Sequence, residues 1–357
     1  MKKYNFGAGP SILPQEVFEQ SAQACLDYNG IGLSLLEISH RSKEFEAILE
    51  ETITLTKALL NIPTGYQVLF LQGGANMQFA MIPYNILNEE ETANFVETDL
   101  WSTRAEEEAR LYGKTKIIAS SKDANFNYVP KDFIIDSDAA YLHLTSNNTI
   151  YGTAFFEDQS YPIPVVCDMS SDIFSRPVDV SKYHLIYAGA QKNLGCAGIT
   201  MVILKKEWLG RSKRPKSKMW DYSIYAKNNS LYNTPPVFTI YTCLLTLRWL
   251  KKLGGVEEME KRNKAKAALL YQEIDRNPLF RGHAAVEDRS RMNINFIAND
   301  PEHEAAFLEF VNSYNIHGLK GYRTVGGFRA SCYNALPIES VEVLVKAMQD
   351  FENKSSK

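Results

Sequence analysis

The chain has 357 residues, 45% of them hydrophobic and 23% charged, with a formal net charge of −3. That length supports one large domain and a smaller one, and the near-neutral charge favours neither nucleic acid nor an anionic membrane. No apolar run approaches the roughly 18 residues of a membrane helix.

The first residues, MKKYNFGAGPSILP, carry two lysines but no apolar core, which argues against a signal peptide. Residues 15–28 have helical periodicity and stop before Asn29-Gly30; residues 42–61 repeat the pattern, with Glu44 and Glu46 where a helix dipole favours them. Short apolar strands then alternate with helical stretches. Strands are expected at 67–71, 93–97, 116–119, 139–144, 165–167, 185–188 and 199–204, with helices at 75–87 and 102–112. Such alternation predicts an α/β fold: a mostly parallel sheet covered on both faces. Two long helices, 237–253 and 256–276, are split by Gly254-Gly255, and 291–357 reads as strand–helix–strand–helix, a compact α+β unit ending in the polar tail NKSSK. The boundary is expected near residue 260. The basic stretch KKEWLGRSKRPKSK, 205–218, reads as a solvated loop, because no aromatic interleaving accompanies it. Cys25, Cys167, Cys196, Cys243 and Cys332 are scattered without C-x-x-C spacing. Reduced, mostly buried thiols and a cytoplasmic location follow as expectations, with no metal site assigned.

The chemistry centres on HLIYAGAQKNLGCAGITMVIL, 184–204. Two apolar runs flank a glycine-rich connection that presents one lysine, Lys192. Near apolar walls an ammonium loses solvation, its neutral amine becomes accessible, and an aldehyde cofactor captures that amine as a Schiff base. Asp168 closes the strand pattern VVCD, at the edge where open α/β sheets hold ligands; an acid there pairs with a protonated ring nitrogen. Its plainer reading is a turn cap for Ser170 and Ser171. QGGANMQF, 72–79, opens a helix after a strand, so Ala75 and Asn76 stand where backbone N–H groups meet a phosphate. Trp101 offers a stacking plane, or only packing. Thr149 follows a strand, and Gln191 adjoins the lysine. Asn233-Thr234-Pro235-Pro236 reads as a helix cap with proline in the first turn, a place compatible with phosphate. Arg41, Arg323 and Arg329 are the candidate anion partners; Arg329, between Phe328 and Ala330, is expected to be buried with a carboxylate partner.

Taken in order, FGAGPSILP, SHRSKEF, FLQGGANMQFAMIP, TSNNTIYG, DMSSDIFSRPVD, YAGAQKNLG, NNSLYNTPP, RSRMNI and KGYRTVGGFRASCYNA resemble the phosphoserine aminotransferase family over nearly the whole chain. This family has the aspartate-aminotransferase fold and uses pyridoxal 5'-phosphate. The resemblance implies a large cofactor-binding domain at 15–260, and a small domain of 1–14 and 261–357. Lys192 would be the Schiff-base lysine, Asp168 would face the pyridine nitrogen, and Trp101 would stack on the ring. Thr149 would bond the phenolic oxygen. Ala75, Asn76 and Gln191 would line the phosphate cup, joined by Asn233 and Thr234 from the second subunit of a homodimer. Arg41 and Arg329 would hold substrate anions, with Arg323 reaching the substrate phosphate from the partner. The implied substrates are L-glutamate and 3-phosphohydroxypyruvate, and a step of pyridoxine synthesis is a second role common in bacteria. Three departures stand out. Ala8 replaces a serine found in some members, with nothing lost if the contact there is through backbone. Some members have arginine where this chain has Asn76, and histidine is usual where it has Tyr322, a side chain that donates one hydrogen bond but adds no charge. Alternatives on the same scaffold are alanine–glyoxylate transamination, cysteine desulfuration, or a catalytically silent binding protein.

Overall fold

The computed structural model describes residues 3–355, so the outermost residues of the expected small domain, 1–2 and 356–357, lie outside the described residues. In chain order the elements are β1 (Tyr4–Asn5), α1 (Gln15–Leu26), α2 (Lys43–Leu59), β2 (Tyr66–Gln72), α3 (Asn76–Ile86), β3 (Thr92–Glu97), α4 (Leu100–Ala109), β4 (Lys114–Ser120), β5 (Tyr141–Thr145), β6 (Val165–Asp168), β7 (Leu185–Gly189), β8 (Ile199–Lys205), α5 (Tyr222–Lys227), α6 (Val237–Lys252), α7 (Gly255–Arg276), β9 (Phe280–Gly282), β10 (Asn293–Ala298), α8 (Glu302–Phe310), β11 (Ile316–His317), β12 (Phe328–Ser331) and α9 (Ile338–Ser355).

A seven-stranded sheet, in the order β2-β8-β7-β6-β5-β3-β4, forms the centre. β8 runs antiparallel to both neighbours, and the other pairings are parallel. The two apolar runs around Lys192 are therefore a hairpin, β7–β8. Side chains alternate between faces. Phe70, Leu142, Cys167, Ile186 and Met201 pack in one core with α2 and α6, while Leu71, Tyr141, Val166, Tyr187 and Val202 pack in another with α3 and α4. Burial on both faces explains why these strands read as continuous apolar runs.

Helix α2 begins as its sequence predicts. Ser42 caps it by accepting from the Phe45 N–H, and the helix buries Phe45, Ile48, Leu49, Thr52 and Leu55 along one side. A separate core gathers Phe6, Ala267, Leu270, Phe280, Phe296, Phe307, Phe328, Met348 and Phe351 around the antiparallel sheet β12-β10-β9. The N-terminal strand β1 pairs with β11, Tyr4 opposite Ile316. Helix α7 spans both cores: Val256 and Met259 belong to the first, Ala267, Leu270 and Ile274 to the second.

The basic stretch is more than a solvated loop. Arg211 donates to Ile86 O and pairs with Glu91 at 2.8 Å; Arg214 donates to Leu87 O at 2.6 Å and to Tyr112 O at 2.5 Å. Its cations satisfy the carbonyls left open where α3 ends.

Candidate active site

β2, β3, β5, β6 and β7 all end at one edge of the sheet, and the segments that leave them enclose a cavity of about 330 Å³. Nine of the residues singled out in the sequence line it: Ala75, Asn76, Trp101, Thr149, Asp168, Gln191, Lys192, Tyr322 and Arg329. Lys192 Nζ donates to Thr149 Oγ1 at 2.7 Å. Burial lowers the lysine pKa, which the carboxylates of Asp168 and Asp99 oppose and Arg329 reinforces. Burial also raises the Asp168 pKa, against hydrogen bonds from Ser170 and Tyr187 and the charge of Lys192. Asp168 Oδ1 does accept from Ser170 N, at 2.8 Å, so the turn-cap reading holds alongside its place in the cavity wall.

Trp101 sits in the first turn of α4. Asp99 Oδ1 accepts from the N–H groups of Trp101 and Ser102, both at 2.8 Å, which fixes that turn. The guanidinium of Arg104, an exposed residue, lies 5.0 Å from the centre of the indole ring, a cation–π contact. Gly73, with φ of +95°, makes the bend into α3; a Cβ there would stand 2.7 Å from Met77 Cγ. That bend points the N-terminus of α3 at the cavity.

Arg329 corrects the sequence expectation. It is half-buried, as expected, but no carboxylate pairs with it among the described residues. It donates to Thr149 O at 3.3 Å, its Nε is buried without a partner, and burial lowers its pKa. Its position on the open end of β12 puts cavity, not protein, opposite the guanidinium.

The remaining residues stand outside this cavity. Arg41 and Arg323 are exposed. Asn233 is not a helix cap: α6 begins at Val237 with Pro236 before it, and Asn233 Nδ2 donates to Gln72 Oε1 at 2.6 Å, while Gln72 Nε2 donates to Thr234 O. Two prolines between Asn233 and the first helical residue place its side chain out of reach of the open N–H groups.

Full-length relatives give this geometry a context. The model of the family "Aminotransferase class-V" matches residues 3–344. The chain belongs to the class-V aminotransferase family. A phosphoserine aminotransferase of Azobacteroides pseudotrichonymphae is 56% identical, covering 99% of this chain and 98% of the relative. One of Flavobacterium psychrophilum is 57% identical, covering 99% and 100%. The solved phosphoserine aminotransferase of Bacillus circulans subsp. alkalophilus superposes with a TM-score of 0.96 at 46% identity, covering 99% of both chains.

As a class-V aminotransferase the protein depends on pyridoxal phosphate, and the cavity walls suit that group. Trp101 offers an aromatic face, the α3 N-terminus borders one end, and Thr145 Oγ1 is buried in the wall without a hydrogen-bond partner among the described residues. Thr145 and Ser170 were not singled out in the sequence as cavity residues, and Ala8 was marked only by the family resemblance. Thr145 was findable as the last residue of β5, beside the last residue of β6 in the register Thr145↔Asp168. No periodicity marks Ala8: it arrives through the chain's N-terminal segment, held by Tyr333 Oη donating to Ala8 O at 2.9 Å and by Ser11 N donating to Gln191 O at 2.9 Å.

Proposed function

We propose that the protein transfers the amino group of L-glutamate to 3-phosphohydroxypyruvate, giving 2-oxoglutarate and O-phospho-L-serine. One observation carries the reading. A single cavity holds an amine of reduced basicity, a buried carboxylate at a strand end, and a guanidinium with no carboxylate partner among the described residues.

In this reading Asp168, Trp101, Thr149, Gln191, Ala75, Asn76 and Lys192 hold pyridoxal phosphate. When bound, the cofactor supplies an electron sink and stores the amino group between half-reactions. Lys192 Nζ removes the proton from the α-carbon of the amino donor, and in the second half-reaction delivers one to the α-carbon of the acceptor. Its lowered pKa keeps the neutral amine accessible for the first step. Thr149 Oγ1 positions that nitrogen when it is free. Arg329 binds the substrate carboxylate with the donors left beside its bond to Thr149 O, Nε among them, and Tyr322 adds one hydroxyl.

The working unit in this reading is a homodimer. Asn76, in the cavity wall, and its neighbour Met77 are exposed, and Leu26, Ile31, Leu33 and Leu36 expose apolar surface, as an interface would require. Asn233, Thr234 and Arg323 then serve the cavity of the second copy, and Arg41 completes the anion site. The five cysteines are free thiols, in keeping with a cytoplasmic protein. A desulfurase reading finds no support: Cys332 is fully buried, with burial pushing its pKa up to about 12, and Cys196 Sγ is engaged by Thr239 and Thr242.

Purified holoprotein should show a visible absorption band that L-glutamate converts to an ultraviolet species and 3-phosphohydroxypyruvate restores. Restoration by glyoxylate but not by 3-phosphohydroxypyruvate would overturn the substrate assignment. Arg329→Ala should raise the KM for L-glutamate by roughly 10- to 100-fold, the range for losing a charged hydrogen bond. Steady-state kinetics with an unchanged KM would remove Arg329 from the carboxylate site.

A further inference from the structure

Behind Asp168 lies a line of buried polar groups that the reaction above does not use. Asp168 stands on β6, with β5 and β7 on either side. Tyr187 is its register partner on β7, on the same face of the sheet, and its hydroxyl works against the rise of the Asp168 pKa. Tyr187 Oη also lies 2.9 Å from His143 Nε2, on β5. Tyr187, His143 and Asp168 are 0%, 3% and 6% exposed. Phe95 stacks on the imidazole at 5.1 Å, and His143 Nδ1 has no hydrogen-bond partner among the described residues.

The direction of this line follows from the missing partner. Burial brings the His143 pKa down to about 3, so the ring is neutral and has one N–H. A buried N–H without an acceptor is costlier than a bare lone pair, so the proton resides on Nε2 and Nδ1 stays bare. His143 then donates to Tyr187, and the Tyr187 hydroxyl is left to donate to Asp168. The charged groups facing Asp168 are Lys192, Asp99 and Asp172, one cation against two carboxylates. Burial and like charge both favour a protonated Asp168, and a directed donor opposes them.

We propose that Tyr187 and His143 are positioning residues whose one-way hydrogen-bond line keeps the Asp168 carboxylate ionised and aimed into the cavity. The proposal rests on the reading of Asp168 as the cofactor's acidic counterpart.

Tyr187→Phe keeps the ring and deletes only the hydroxyl. In cofactor-free protein labelled with carboxyl-¹³C aspartate, the Asp168 resonance, assigned through Asp168→Asn, should titrate at higher pH in Tyr187→Phe than in wild type. In the loaded enzyme kcat should fall roughly tenfold, with the KM for L-glutamate nearly constant. The double variant Tyr187→Phe/Asp168→Asn should be no slower than Asp168→Asn alone, because the hydroxyl acts through the carboxylate. His143→Gln, which keeps an N–H donor, should recover most of what His143→Leu loses. An unmoved Asp168 titration, or a double variant in which the two losses multiply, overturns the proposal. A fully active Asp168→Asn enzyme would instead overturn the cofactor reading of Asp168, and the titration would still decide whether the line exists.

Discussion

Replacing Lys192 with alanine is expected to abolish amino transfer, lowering kcat by about 10⁴-fold, the upper end for loss of a positioned acid–base group. The visible band of the loaded protein should vanish with it. Among the described residues Lys192 alone presents an amine to the cavity, and Thr149 Oγ1 holds it at 2.7 Å. Borohydride reduction of loaded wild type, followed by peptide mass mapping, should fix the cofactor's mass on the peptide containing residue 192. The fold should survive the change, since Lys192 lies in the β7–β8 connection and makes no ion pair within 4 Å among the described residues. Turnover and a wild-type spectrum in Lys192→Ala would remove the residue from its role and the proposed mechanism with it.

Asp168→Asn is the second expected large effect. The amide retains the shape and can still accept from Ser170 N, so the turn after β6 and cofactor binding should persist. What is lost is the negative charge, and turnover should fall on the order of 10²-fold or more, as when a preorganised electrostatic partner is removed. Stopped-flow absorbance should show slow half-reactions after normal loading. Near-normal rates would reduce Asp168 to a turn cap.

The two residues differ in how legible they were. Lys192 was visible because a cation amid glycines between two apolar runs has little local purpose. Asp168 was ambiguous because an aspartate after a strand caps a turn equally well, and here it does both.

Periodicity and apolar runs determined the α/β architecture, the strands that end at the site, and the core helices, because burial on one or both faces leaves a pattern in residues close along the chain. Strands β1, β9 and β11 left none: they have two, three and two residues, too few to alternate. The antiparallel sense of β8, the bond from Arg329 to Thr149 O in place of a carboxylate pair, and Gln72 as partner of Asn233 were decided by tertiary structure alone. Each depends on a neighbour far away in sequence, and a hydrogen bond or an empty space between distant segments imposes no local spacing on either one.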